Sequence, residues 1–146
     1  MKILYFPLLL FLFSIFMWAD NWKYQGEVEL KKDEIYHLAF QEREVMKDLY
    51  FRWTLHKNQG LVMHVHYDGF VHQFILYERY HRRGFKVQLF KHNSRAYTAA
   101  PYIWIRMVDY KYDTKTALIR FLVHDGNKEI SLVSQEKVNS VGFRGY

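Results

Sequence analysis

The sequence predicts an all-β chain folded as one antiparallel β-sandwich of eight or nine short strands. Three observations carry that expectation. Beyond residue 20, apolar and polar residues alternate with a period of two along most of the chain, as strands with one buried and one wet face do. Turn signals at Asn58-Gln59-Gly60, Asp68-Gly69 and Asp125-Gly126 interrupt the alternation at strand-length intervals. Twelve Tyr, twelve Phe and four Trp in 146 residues, with no Cys, offer a core that needs neither disulfide nor zinc-thiolate. The same strands closed on themselves would give a small β-barrel, the alternative architecture.

Residues 1–19 read as a secretory signal peptide: Lys2, an apolar run from Ile3 to Trp18, then Ala19 before the polar pair Asp20-Asn21. The run is shorter than a spanning helix needs and contains Pro7, so cleavage after Ala19 is favoured over an uncleaved anchor. Residues 20–146 are then a single domain. No Cys and no Asn-X-Ser/Thr site follow the signal. Both absences point away from a secreted eukaryotic domain and toward the bacterial periplasm, with membrane contact only through export.

The elements follow in order. Residues 22–30 alternate as a first strand, with 31–33 a polar turn and 35–40 a second strand. The charged stretch 41–48 reads as a loop. Residues 49–56 place Leu49, Phe51, Trp53 and Leu55 on one face and Tyr50, Arg52, Thr54 and His56 on the other. A three-residue loop with Gly60 left-handed leads into 61–67, and Asp68-Gly69 makes a type I′ turn into 70–77. A basic connection carrying Arg79, Arg82 and Arg83 precedes a strand over 85–90 and a loop over 91–100. Strands over 102–110, 117–124 and 129–133 complete the domain, with 134–146 a polar tail or edge strand.

His64-Val65-His66 puts two imidazoles on one strand face and is the one metal-like pattern. The turn spacings set His64 beside Thr54 and His66 beside Arg52, a poor neighbour for a cation. The pattern resembles the metal motif of the cupins only in its first step. That motif needs a Glu shortly after the second His, and the next here is Glu78, so the resemblance fails. His64 and His66 stand as weak metal candidates, and no cofactor is expected.

Hydrolytic chemistry has little support: no Gly-X-Ser-X-Gly elbow, no Cys nucleophile, and acids that fall on wet faces or loops. The features that stand out are basic and aromatic. Arg52, Arg106 and Arg120 stand mid-strand on faces that also carry Tyr102 and Trp104, and Arg79, Arg82 and Arg83 crowd one connection. Arg, Tyr and Trp are the side chains enriched where proteins bind.

A net charge of +6 would ordinarily suggest nucleic acid, but export redirects it to an envelope protein or an anionic envelope polymer. The expectation is a non-enzymatic binding or scaffold protein, an accessory part of an envelope complex such as a flagellar motor or secretion apparatus. The alternative is a β-protein that binds a glycan, lipid or small molecule. An outer-membrane barrel fits less well, because Arg144 breaks the terminal alternation.

Overall fold

The period-two pattern is realised as nine strands in a computed structural model that describes residues 22–78, 84–90, 100–126 and 129–138. The expected signal peptide, the connection with Arg79, Arg82 and Arg83, most of the 91–100 loop and the last eight residues lie outside the described residues. The strands are β1 (Tyr24–Lys31), β2 (Ile35–Glu42), β3 (Val45–Lys57), β4 (Gly60–Tyr67), β5 (Phe70–Tyr77), β6 (Gly84–Gln88), β7 (Tyr102–Lys111), β8 (Thr116–His124) and β9 (Ile130–Val138).

They form two antiparallel sheets, β1-β8-β7-β6 and β5-β4-β3-β2-β9. The sheets face each other as a sandwich that does not close into a barrel. At one side Phe74 of β5 stacks on Phe85 of β6, centroids 3.8 Å apart. At the other the Tyr24 hydroxyl of β1 donates to the Ile130 carbonyl of β9 at 3.4 Å.

Alternation decides which side chains meet between the sheets. Leu30, Ile103, Ile105, Ile119 and Phe121 of the four-stranded sheet are buried against Leu38, Phe40, Leu49, Phe51 and Met63 of the other. Each such side chain removed from water contributes roughly 1.5–3 kcal/mol. A polar tie crosses this apolar layer: the Trp53 indole N–H on β3 donates to the Leu30 carbonyl on β1 at 2.9 Å. Gly26 belongs to the same layer, because a Cβ there would stand 2.5 Å from the Phe121 ring.

Five expectations are corrected. Residues 41–48 are not a loop. β2 runs on to Glu42, a tight turn at Arg43 (φ 56) reverses the chain, and β3 starts at Val45. The charges are held by partners in the sheet: Asp48 on the outer face pairs with His37 at 2.7 Å, while Lys47, on the inner face opposite Phe40, reaches Asp68 in the β4–β5 turn at 2.6 Å.

The 58–60 turn has two residues, not three. Asn58 and Gln59 both take positive φ (53 and 61) and Lys57 pairs with Gly60, which belongs to β4. A bulge between Trp53 and Leu55 then shifts the register, so His64 faces Arg52 and His66 faces Tyr50.

The same bulge turns Leu55 off the core face, leaving it 50% exposed. It also brings His56 over Tyr110, their rings stacked at 3.7 Å. Finally, the last strand does not stop at 133. β9 continues through Ser134 to Val138 as the edge beside β2.

The Asp68-Gly69 turn forms as expected, with φ of 52 and 80 and Tyr67 paired with Phe70. It sets His66 opposite Val71 and His64 opposite Gln73.

Candidate functional site

The outer face of the four-stranded sheet carries an aromatic and cationic layer. Tyr102, Trp104 and Arg106 alternate along β7 and so share that face. Register adds the rest: His124 lies opposite Tyr102 and Leu122 opposite Trp104 on β8, while Lys86 lies opposite Trp104 on β6. Trp22, just ahead of β1, reaches over them. Its ring centroid is 5.9 Å from Tyr102, 6.0 Å from Trp104 and 6.4 Å from His124. Tyr102 and His124 stack at 5.1 Å. Leu122 faces outward yet is only 5% exposed beneath this layer.

Two cations lie on the rings. Lys86 Nζ sits 4.4 Å from the Tyr102 centroid and 5.7 Å from Trp104, and the Arg106 guanidinium 4.5 Å from Trp104. Such contacts contribute about 0.5–1 kcal/mol each at exposed sites. Arg106 faces Arg120 directly across the ladder, and like charges opposite each other repel. The two side chains part: Arg106 folds onto Trp104, and Arg120 goes to Glu27 on β1, its Nε donating at 2.6 Å.

The face is therefore divided in charge. On the β1 side the cations are neutralised, Arg120 by Glu27, Lys111 by Glu29 and Lys23 by Asp125. Hydrogen bonds from Lys111 and Thr116 hold the Glu29 carboxyl below its usual range. On the β6–β7 side, among the described residues, no carboxylate bridges Lys86 or Arg106. The local geometry depends on Gly84. A Cβ there would lie 2.6 Å from the Trp104 Nε1, 2.7 Å from the Arg106 Cγ and 2.7 Å from the Ile105 carbonyl.

Of the residues singled out in the sequence, Tyr102, Trp104, Arg106 and Arg120 thus come together. Arg52 does not join them, because β3 belongs to the other sheet and Arg52 lies on its outer face beside His64. Arg79, Arg82 and Arg83 lie outside the described residues. Trp22, Lys86 and His124 complete the layer and were not anticipated. Their membership depends on strand order, which local alternation does not encode.

The outer face of the five-stranded sheet is more neutral. His64 and His66 share it, with Arg52 opposite one and Tyr50 opposite the other. Burial, then the Arg52 charge, lowers the His64 pKa against a smaller opposing pull from Asp33. Among the described residues no three His, Asp or Glu side chains converge as a metal site.

His37, unremarked in the sequence, is held by Asp48 at 2.7 Å and lies 3.5 Å from Glu136, its ring stacked on Tyr50 at 4.5 Å. Burial, with Asp48 and Glu136, raises the Tyr50 phenol above its usual range.

A cavity of about 350 Å³ opens between the β5 and β6 edges. Phe70, His72 and Phe74 line one wall and Lys86, Val87 and Gln88 the other, with Tyr67 and Phe90 at its base. Tyr102, Trp104 and Arg106 are not part of its lining. No protein-family model, curated protein or solved structure matches the chain.

Proposed function

We propose that the chain is an exported, non-enzymatic binding or scaffold component of a bacterial envelope complex. Its working surface is the outer face of the four-stranded sheet, and its partner is a protein that presents acidic side chains there. The observation that carries this reading is the pair of cations, Lys86 and Arg106, seated on Tyr102 and Trp104 without a bridging carboxylate among the described residues. Trp, Tyr and Arg clustered around a covered apolar residue have the composition of a binding hot spot. Excess positive charge beside them favours acidic groups on the partner.

Ring geometry favours a protein over a sugar polymer. Sugars stack on free aromatic faces, but Tyr102 already shares its faces with His124 and Lys86, and Trp104 has Arg106 over it. Trp22 stands at 87° to Tyr102, so the rings make no flat platform.

The test is cross-linked affinity purification of the tagged chain from its native host, beside a Lys86→Glu/Arg106→Glu double variant with an unchanged circular dichroism spectrum. A defined set of envelope proteins recovered with the wild type and lost with the variant is the expected result. Bait recovered alone, or identical recovery with both chains, overturns the reading.

A further inference from the structure

We propose that the free edge of β5 pairs antiparallel with β5 of a second copy of this chain, about a two-fold axis at Gln73. This joining surface is separate from the aromatic face and stands whether or not a partner docks there.

Among the described residues β5 is bonded on one side only, to β4. The other three edge strands carry the usual protection against pairing. β1 has Glu27, Glu29 and Lys31, β9 has Glu136 and Lys137, and β6 is five residues long with Lys86. β5 reads Phe-Val-His-Gln-Phe-Ile-Leu-Tyr, with no Asp, Glu, Lys, Arg or Pro, and its ladder to β4 has no bulge. Of the described edge strands it also leaves the most apolar side chains in water: Phe70 is 67% exposed, Val71 45% and Ile75 47%, against Val133 alone on β9.

The backbone is set for pairing. The two-residue turn closes on Tyr67 and Phe70, and the Glu78 N–H donates to the Gln59 carbonyl at 3.1 Å beyond the far end of the strand. Even-numbered residues therefore bond to β4. Val71, Gln73 and Ile75 direct their N–H and C=O groups to the open edge.

Antiparallel pairing centred on Gln73 sets those groups against each other in register. It places Val71 opposite the partner subunit's Ile75, and Gln73 opposite the partner subunit's Gln73. On the inner face the register sets Phe70 across from the partner subunit's Leu76, which is already buried in its own subunit, and His72 across from the partner subunit's Phe74. Apolar side chains thus meet apolar or aromatic ones and the two Gln amides meet each other. A chain of net charge +6 approaches its copy along an uncharged strand. The flanking acids are already held within each subunit, Asp68 by Lys47 at 2.6 Å and Glu78 by His56 at 2.9 Å.

Seven residues, 70–76, make a contact about 23 Å long at the usual strand rise. That buries on the order of 1,000 Å² in total, near the lower limit for a specific interface, so the dimer is reversible and depends on concentration.

The chain has no Cys, so a single introduced thiol reports the register. In the full exported chain, Gln73→Cys is expected to form a disulfide dimer under mild oxidation, its two Cα atoms being roughly 5.5 Å apart in such a pair. Val71→Cys is expected not to, because its own counterpart lies several residues away along the edge. Sedimentation equilibrium of the wild type is expected to show monomer and dimer in exchange, and Ile75→Lys to shift the exchange to monomer with an unchanged circular dichroism spectrum. A wild type that stays monomeric at every soluble concentration overturns the proposal. So does cross-linking of Val71→Cys as readily as Gln73→Cys, or an edge covered only when another envelope protein is added.

Discussion

The indole of Trp104 lies against Gly84 on the neighbouring strand so closely that a Cβ on Gly84 would come within 2.6 Å of Nε1. The same missing Cβ leaves room for the Arg106 side chain and for the Ile105 carbonyl, each 2.7 Å from where it would stand. The aromatic layer on the four-stranded sheet thus depends on a residue with no side chain.

Gly84→Ala tests that dependence. Trp104 and Arg106 can swing away, but the Ile105 carbonyl belongs to the β6–β7 ladder and cannot move freely. A loss of about 1–3 kcal/mol in denaturant unfolding is expected, as for other overpacked sites. Tryptophan fluorescence should shift as Trp104 is displaced. Unchanged unfolding and emission would show that β6 accommodates the methyl group.

Trp53 joins the sheets both by bulk and by its hydrogen bond to Leu30. Trp53→Phe keeps most of the bulk but removes the indole N–H that the buried Leu30 carbonyl accepts, a cost of about 0.5–1.5 kcal/mol. Trp53→Ala removes the ring as well and is expected to cost about 3–5 kcal/mol. Chemical denaturation separates the two contributions: a Trp53→Phe variant as stable as the wild type would mean that the hydrogen bond contributes nothing, and equal losses in both variants would mean that the bulk of the ring adds nothing to it.

Tyr67 gives the fold an alkaline limit. Burial above all, with Asp68 and Glu42 nearby, holds its phenol well above the usual range, and its oxygen accepts the Phe90 N–H at 3.1 Å. The unfolded chain releases that proton near pH 10 while the folded chain keeps it, so stability is full below about pH 10 and falls as pH rises above it. Thermal melts from pH 8 to 11 should show this fall. Tyr67→Phe should flatten the slope, although it starts from a lower stability at neutral pH because the Phe90 N–H loses its acceptor. An identical slope in the variant would place the alkaline loss in other groups, Tyr36 and Tyr50 being the next raised by burial.

Arg106 and Arg120 face each other but are expected to behave differently. Arg120 is an exposed ion pair with Glu27, and such pairs contribute about 0–1 kcal/mol. Arg120→Ala should therefore change stability little and leave partner recovery unchanged. Arg106→Ala should fold equally well and weaken recovery, because it removes a cation no described carboxylate neutralises. Equal effects of the two on recovery would count against the charge division of the face.

Much of this arrangement was legible in the residues. The i, i+2 spacing of Tyr102, Trp104 and Arg106 puts them on one face whichever strands lie beside them. Asp68-Gly69 set the β4–β5 register to the residue, since two positive-φ positions make a two-residue turn. The 41–48 stretch misled because its charges resemble those of a loop, whereas in the hairpin each is held by a residue distant in sequence, Asp48 by His37 on the neighbouring strand and Lys47 by Asp68 in a later turn.

The sequence by itself determined that the chain is all-β, which side chains of most strands turn inward, and that basic and aromatic residues share an outer face. Only the tertiary structure decided that Trp22, Lys86 and His124 join Tyr102 and Trp104, that Arg52 lies on the opposite sheet, and that a bulge at Trp53–Leu55 turns Leu55 outward. The reason is the range of the forces involved. Alternation follows from backbone geometry over two residues, so it can be read locally. Which strand lies beside which is set by packing between sheets distant in sequence, and a change of one residue in a turn or bulge re-aims every side chain beyond it.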